Sequence, residues 1–272
     1  MLANPTPSAL GTAIVTGASS GIGKMYAERL AARGYDLVLV ARREDRLQHI
    51  AADLQARCSI RAQVLVADLS QPAGVAAVID YMRNDDALAM LVNNAGVSAG
   101  GALPLTDTPD NVIAAMIALN ITALTALSKA ALVAFKKKGA GTIVNIGSGA
   151  SLFPYPGIAI YASTKAYVYL FTQTLHAEVA GTGIRVQLVT PGAVKSEGWD
   201  RAVSAGLNAL PAGVVMSTED CVDAALAGLD QGEAVTAPSL HDISILRDHE
   251  AAAGKLMQSL FNAQPAPRYS VS

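Results

Sequence analysis

Thr12-Ala13-Ile14-Val15-Thr16-Gly17-Ala18-Ser19-Ser20-Gly21-Ile22-Gly23 is the stretch on which the reading of this chain turns. A β-branched run from Thr12 to Thr16 runs straight into three glycines spaced GxxxGxG, and the periodic, Ala-rich segment Ile22 to Arg33 begins where they end. Strand, glycine turn and helix in that order make the first half of a βαβ unit. Glycines there let the chain turn without a Cβ clash and bring backbone N–H groups close to an anion. That anion then sits on the helix N-terminus, where unpaired donors and the helix dipole favour negative charge. The spacing departs from the GxGxxG of the general dinucleotide fingerprint.

Outward from this stretch the alternation continues. Strands are expected at Asp36 to Val40, Arg61 to Ala67, Ala89 to Val92, Gly141 to Ile146 and Arg185 to Thr190. Helices are expected at Asp45 to Ala56, Pro72 to Arg83, Asn111 to Phe135 and Tyr161 to Ala180. Short apolar strands alternating with helices imply an α/β chain whose right-handed crossovers put helices on both faces of a doubly wound, Rossmann-type parallel sheet. With no linker and no repeat, residues 1–272 read as a single domain. Residues 195–217, with glycines at 198, 206 and 213 and the single Trp199, read as a long loop able to close over a substrate. Residues 265–272 read as a loose tail.

Composition narrows the function classes. The chain has 272 residues, 51% hydrophobic and 15% charged, and its 20 Lys plus Arg against 22 Asp plus Glu give a net charge of -2. Lys136 to Lys138 form the only basic run, so no phosphate-tracking surface for nucleic acid is expected. Mean hydropathy is positive, +0.34, yet no run approaches the roughly 18 consecutive apolar residues of a spanning helix. The N-terminus lacks the basic flank and apolar core of a signal peptide, so a cytoplasmic protein without membrane partners is expected. Cys58 and Cys221 alone give neither a disulfide framework nor a metal-ligand spacing.

Two places carry chemistry. An acid at the end of the second strand would bind a ribose 2′-hydroxyl; here the chain reads Ala41-Arg42-Arg43. Two guanidiniums suit a 2′-phosphate, which Arg grips as a planar donor fork, so NADP(H) is the expected cofactor. Tyr161 and Lys165, at i and i+4, emerge on one face of a helix. An ammonium beside a phenol favours the phenolate, so Lys165 is expected to pull the Tyr161 pKa down toward neutrality.

Thr16-Gly17-x-x-x-Gly21-x-Gly23, Asp68, Asn93-Asn94-Ala95-Gly96, Asn120, Ser148, Tyr161-x-x-x-Lys165 and Pro191-Gly192 occur in this order. The set, over about residues 10 to 195, closely resembles the classical short-chain dehydrogenase/reductase family, in its NADP-dependent carbonyl and ketone reductase branch. The resemblance implies that Tyr161 protonates a carbonyl oxygen while the nicotinamide delivers hydride. Ser148 would polarise the same oxygen, Lys165 would hold the nicotinamide ribose, and the backbone carbonyl of Asn120 would hold a relay water. It implies cofactor contacts from Gly17, Ser19, Ser20, Gly21, Ile22, Gly23, Arg42, Arg43, Asp68, Leu69, Asn94, Ala95, Gly96, Pro191, Gly192, Val194 and Ser196, together with Tyr161 and Lys165. Asp68 would meet the adenine amino group, and Ser196 stands where the family usually has Thr.

The expected substrate lining is Ser98, Gly149, Phe153, Pro154, Tyr155, Val194 and Trp199, mostly apolar, which suits an uncharged ketone or aldehyde. Gly232 to Leu240 replaces the family's C-terminal strand ending in Asp-Gly-Gly and precedes a polar, Ala-rich tail; this bears on the family's common tetramer, and a homodimer or homotetramer is expected. The leading reading is an NADPH-dependent reductase of a ketone or aldehyde. A 3-oxoacyl thioester reductase is the alternative, for which Lys136 to Lys138 would have to serve a carrier at the pocket mouth. A non-catalytic dinucleotide sensor would be expected to lose Tyr161 or Lys165, and an epimerase on a related fold would need a larger C-terminal domain.

Overall fold

A computed structural model of the chain describes residues 8–197 and 213–269. The chain divides into two compact units, Met1–Pro238 and Ser239–Ser272. In the first, β1 (Thr12–Thr16), β2 (Asp36–Ala41), β3 (Ala62–Val66), β4 (Leu88–Asn93), β5 (Gly141–Ile146) and β6 (Ile184–Val189) alternate with helices. These are α1 (Gly21–Ala32), α2 (Glu44–Cys58), α3 (Pro72–Asn84), α4 (Asp110–Ile117), α5 (Leu124–Lys138) and α6 (Ala159–Glu178). Beyond β6 come β7 (Ala193–Val194), β8 (Val215–Met216), α7 (Thr218–Asp230) and β9 (Val235–Thr236).

The seven-stranded sheet runs β3-β2-β1-β4-β5-β6-β9 and every pairing in it is parallel. Successive strand residues point to opposite faces, and both faces are buried. Ala13, Val15, Leu37 and Leu39 pack with Tyr26 and Leu30 of α1, Leu47 and Leu54 of α2 and Leu226 of α7. Ile14, Val38 and Val40 pack on the other face with Val78 and Met82 of α3, Leu127 and Phe135 of α5 and Leu175 of α6. Continuous apolar runs rather than alternating ones are what a sheet covered on both faces requires. Chain order reverses between β1 and β4, which opens a crevice at the carboxyl ends of these strands.

Three elements differ from the sequence reading. The long helix expected at Asn111 to Phe135 is continuous from Asp110 to Lys138, but a π-helical insert, Ala118–Ala123, separates α4 from α5. By length and composition this 29-residue stretch, which contains an 18-residue window of mean hydropathy 1.7, could cross a membrane, a possibility that a count of consecutive apolar residues passed over. In the fold its inner face, Leu127, Ala131 and Phe135, packs in the core. The segment Gly232 to Leu240 still supplies a strand, the two-residue β9, paired with Leu188 and Val189 of β6. Finally, the second unit carries a helix, α8 (Ile243–Ser259), where the sequence suggested only a polar tail; Asp242 caps it by accepting the Ser244 N–H at 2.9 Å.

Candidate active site

The crevice is built first from Thr16, the last residue of β1. Its hydroxyl donates to Val92 O at 3.1 Å and accepts the N–H groups of Asn94 and Ala95, each at 3.0 Å. The Asn94 amide donates back to Thr16 O at 2.9 Å. This lacing draws the loop after β4 against the glycine turn so closely that side chains have no room. A Cβ on Gly17, where φ is +68°, would lie 2.7 Å from Asn94 Nδ2. One on Gly23 would overlap the same amide and the Gly17 carbonyl. The sequence-level case for these glycines thus has a specific cause, the close approach of two backbones.

The α1 N-terminus opens into this cradle. Ser20 occupies the N-cap position but its side chain caps nothing, and no acidic residue stands in the first turn. The first-turn N–H groups therefore lack a side-chain acceptor, an arrangement that fits an anionic pyrophosphate. The two arginines after β2 take different paths. Arg43 folds over the turn, its Nη2 donating to Ser19 Oγ at 2.8 Å and to Ser20 Oγ at 2.7 Å. Arg42 is largely exposed, with Nη1 4.0 Å from the Asp68 carboxylate.

Asp68 also accepts from the Ser70 backbone N–H at 2.9 Å and hydroxyl at 2.7 Å, which with Arg42 hold its carboxyl below the usual range. Leu69 is buried among the core residues beside α3. From the far side of the crevice comes Ser196, whose Cβ is 3.2 Å from where a Cβ on Gly21 would stand. Glu197 follows it and pairs with Arg43 at 3.1 Å and Arg46 at 2.6 Å. Sequence reasoning missed both Glu197 and Arg46, because one lies 151 residues from the other and no local pattern links them.

The chemical end lies where β4, β5 and α6 meet. Asn120, within the π insert, is buried. Its Oδ1 accepts the Val97 N–H at 2.9 Å, and its Nδ2 donates to Val97 O at 2.9 Å and Thr164 Oγ at 3.0 Å. Thr164 in turn donates to the Tyr161 carbonyl at 2.8 Å. Lys165 is buried one residue on, donating to Ile146 O at the end of β5 at 2.8 Å, with Nζ 5.9 Å from the Tyr161 ring centre. A Cβ on Gly96 would be 3.3 Å from Asn120 Oδ1 and 3.7 Å from Lys165 Nζ, so the Asn93–Gly96 loop closes the same cluster.

Ser148 hydrogen-bonds Tyr161 and caps the short turn Gly149–Ser151, accepting the Ala150 N–H at 3.2 Å. The Gly149 N–H donates to Pro191 O at 2.9 Å, which draws the Pro191-Gly192 loop toward Ser148. Val194 is buried within β7, which pairs with β8.

One electrostatic expectation is corrected. Lys165 was expected to lower the Tyr161 pKa; instead burial raises it, opposed only by the Ser148 hydrogen bond. Burial also pulls Lys165 itself down to about 8. Desolvation is the leading cause of both shifts.

Of the expected substrate lining, Ser98 stands with Tyr161 on a cleft completed by Leu103, Leu105, Met116 and Ile158. Phe153 and Tyr155 are 75% and 65% exposed. Trp199, and with it residues 198–212 of the expected closing loop, lies outside the described residues. Leu103 and Leu105 were not among the residues expected to line the pocket. Lys136 to Lys138 are not at the pocket mouth. Lys138 donates to Leu88 O at 2.7 Å, at the start of β4, whereas the site lies at its other end, about 17 Å away at ~3.3 Å per residue.

Known proteins share the family and the fold of this chain. The profile of the family described as short chain dehydrogenase matches residues 11–205. A short-chain dehydrogenase from Sphingobium yanoikuyae, solved in complex with NADPH, is 43% identical with a TM-score of 0.90, over 96% of this chain and 100% of that one. The bulky-bulky ketone specific alcohol dehydrogenase of Comamonas testosteroni is 38% identical with a TM-score of 0.87, over 96% and 99% of the two chains. Among curated proteins, the very-long-chain 3-oxoacyl-CoA reductase of Macaca fascicularis is 35% identical over 184 residues, 66% of this chain but only 58% of that protein's length.

Proposed function

The chain belongs to the short-chain dehydrogenase family of oxidoreductases, and from that premise we propose that it is an NADPH-dependent reductase of ketones with bulky apolar substituents. The observation that carries this reading is the clustering of Tyr161, Ser148, Lys165 and Asn120, with Tyr161 lining a largely apolar cleft, in a chain that also presents an uncapped helix N-terminus overlaid by an arginine.

Gly17, Gly21 and Gly23 with the α1 N–H groups would hold the pyrophosphate, Arg42 and Arg43 the 2′-phosphate, and Asp68 the adenine. Val194 and Ser196 would meet the carboxamide, and Lys165 the nicotinamide ribose. The chemistry supplied by the bound cofactor is hydride for the carbonyl carbon. Tyr161 gives its phenolic proton to the carbonyl oxygen as charge develops there, and Ser148 donates a hydrogen bond to the same oxygen. Because burial keeps the phenol protonated, Tyr161 stands ready as an acid for reduction at neutral pH. Lys165 and Asn120 act behind it, Lys165 with its amine 5.9 Å from the Tyr161 ring centre and Asn120 by fixing Thr164 and the Val97 backbone.

Leu103, Leu105, Met116 and Ile158 favour apolar substituents, in keeping with the ketone named for the Comamonas relative. The 3-oxoacyl-CoA reductases support a second reading, an acyl thioester substrate, although the lysine cluster lies at the wrong end of the sheet to receive a carrier. Initial rates on diaryl and aryl-alkyl ketones, aldehydes and 3-oxoacyl-CoA esters, each with NADPH and NADH, decide between them. Fastest turnover of bulky ketones with NADPH is expected. A preference for the thioesters would transfer the assignment to the second reading, and turnover of none would leave a dinucleotide-binding protein without this activity.

A further inference from the structure

Glu197 is paired with two arginines beside the glycine turn. Arg43 spends its Nε and Nη2 on the Ser19 and Ser20 hydroxyls and its Nη1 on Glu197 Oε2 at 3.1 Å. Arg46, one helical turn along α2, puts Nη1 against both Glu197 oxygens, at 2.8 and 2.6 Å. The carboxylate enters from the opposite wall of the crevice, directly after β7 and Ser196. Lys24, His49 and Lys195 line the same groove, as do Asp45 and Glu219. Both arginines and Glu197 are partly exposed, so exchange of one anion for another is open to solvent.

We propose that Glu197 is a specificity-determining residue for the cofactor, a built-in counter-anion that competes with the 2′-phosphate for Arg43 and Arg46 and so tempers the preference for NADPH over NADH. This rests on the cofactor reading given above. A phosphomonoester brings more charge and three acceptor oxygens, so it prevails over a single carboxylate, but it does so against the existing pair. A 2′-hydroxyl makes no such demand and leaves Glu197 in place. The sign does not depend on whether Glu197 leaves or stays, since a carboxylate that remains repels the phosphate.

The test uses the full-length protein, with adenosine 2′,5′-bisphosphate and 5′-AMP as probes, titrated by calorimetry at fixed ionic strength. Glu197→Gln keeps shape and removes charge. It is expected to tighten the bisphosphate by roughly two- to fivefold, the range of an exposed ion pair, and to leave 5′-AMP unchanged. In an Arg43→Ala background the gain is expected to shrink. Unchanged or weaker bisphosphate binding in Glu197→Gln would overturn the proposal, as would a gain undiminished without Arg43, which would make it a general field effect. If the parent protein binds the bisphosphate no more tightly than 5′-AMP, the cofactor reading fails first, and the role of Glu197 fails with it.

Discussion

At the scale of single residues, a phenol partly shielded from water keeps its proton unless a charge is brought up to release it, and desolvation raises the Tyr161 pKa with only Ser148 opposing. The ammonium that should do the releasing, Lys165, is itself drawn down to about 8 by its surroundings. The proposed reduction uses this directly, because the acid form is the one required. Tyr161→Phe removes the proton and keeps the ring, so ketone reduction is expected to fall by about 10²- to 10⁴-fold, with little change in NADPH affinity measured by fluorescence titration. Full activity in that variant would remove Tyr161 from the mechanism.

At the scale of elements, the site depends on two irregularities in otherwise ordinary pieces. The π insert Ala118–Ala123 interrupts a 29-residue helix at Asn120; such single-turn bulges recur at functional sites. It is accompanied by amide hydrogen bonds that tie the loop after β4 to α6. The other irregularity is the pinch between the glycine turn and Asn94. Gly23→Ala adds one methyl where the Asn94 amide and Gly17 carbonyl already stand. Overpacking of this kind costs about 1–3 kcal/mol, so a matching loss in urea-unfolding stability is expected, together with weaker NADPH binding. A variant as stable as the parent would mean that the pinch relaxes freely. On the outer face, α1 and α7 are joined by Arg29 to Asp223 at 2.5 Å and Arg33 to Asp230 at 2.7 Å. Being exposed, these pairs add little compared with the apolar contacts beneath them.

At the scale of the whole molecule, the buried lysine makes stability depend on pH. Lys165 has an ordinary value of 10.5 and is pulled to about 8 in the folded chain. Below the lower value both folded and unfolded states carry the charge, and the folded state bears the full cost of burying it. Between the two values the folded state has lost its proton while the unfolded state keeps it, so stability rises with pH there. Lys165→Met is therefore expected to gain stability relative to the parent at neutral pH, and the gain should shrink as pH rises from about 8 toward 10. Tyr161, raised by burial, titrates above that window. The lost hydrogen bond to Ile146 O shifts the difference by a constant, so its slope with pH is the readout. Urea unfolding at about pH 7 and about pH 9.5 measures it, and a stability difference identical at both would contradict the buried charge.

What the sequence by itself determined was whatever rests on local backbone requirements. Every strand from β1 to β6 is visible as a short apolar run, because a sheet covered on both faces asks for little else. The glycine turn is visible because only glycine lets β1, α1 and the Asn94 loop come so near, and the catalytic candidates are visible because their order and spacing survive as a pattern. Helix α8 was within reach through its Asp242 cap, but its apolar residues form no single buried stripe; Leu246 alone of them is buried.

Tertiary structure decided the rest, since those features join residues far apart in the chain or depend on the loss of water. It chose Arg43 rather than Arg42 to lie over Ser19 and Ser20, set Glu197 against it across 154 residues, and placed Lys136 to Lys138 at the far end of the sheet. It also reversed the expected Tyr161 shift. Spacing along a helix can bring a lysine near a tyrosine, but only the packed surroundings fix how much solvent either one retains, and here desolvation is the stronger force.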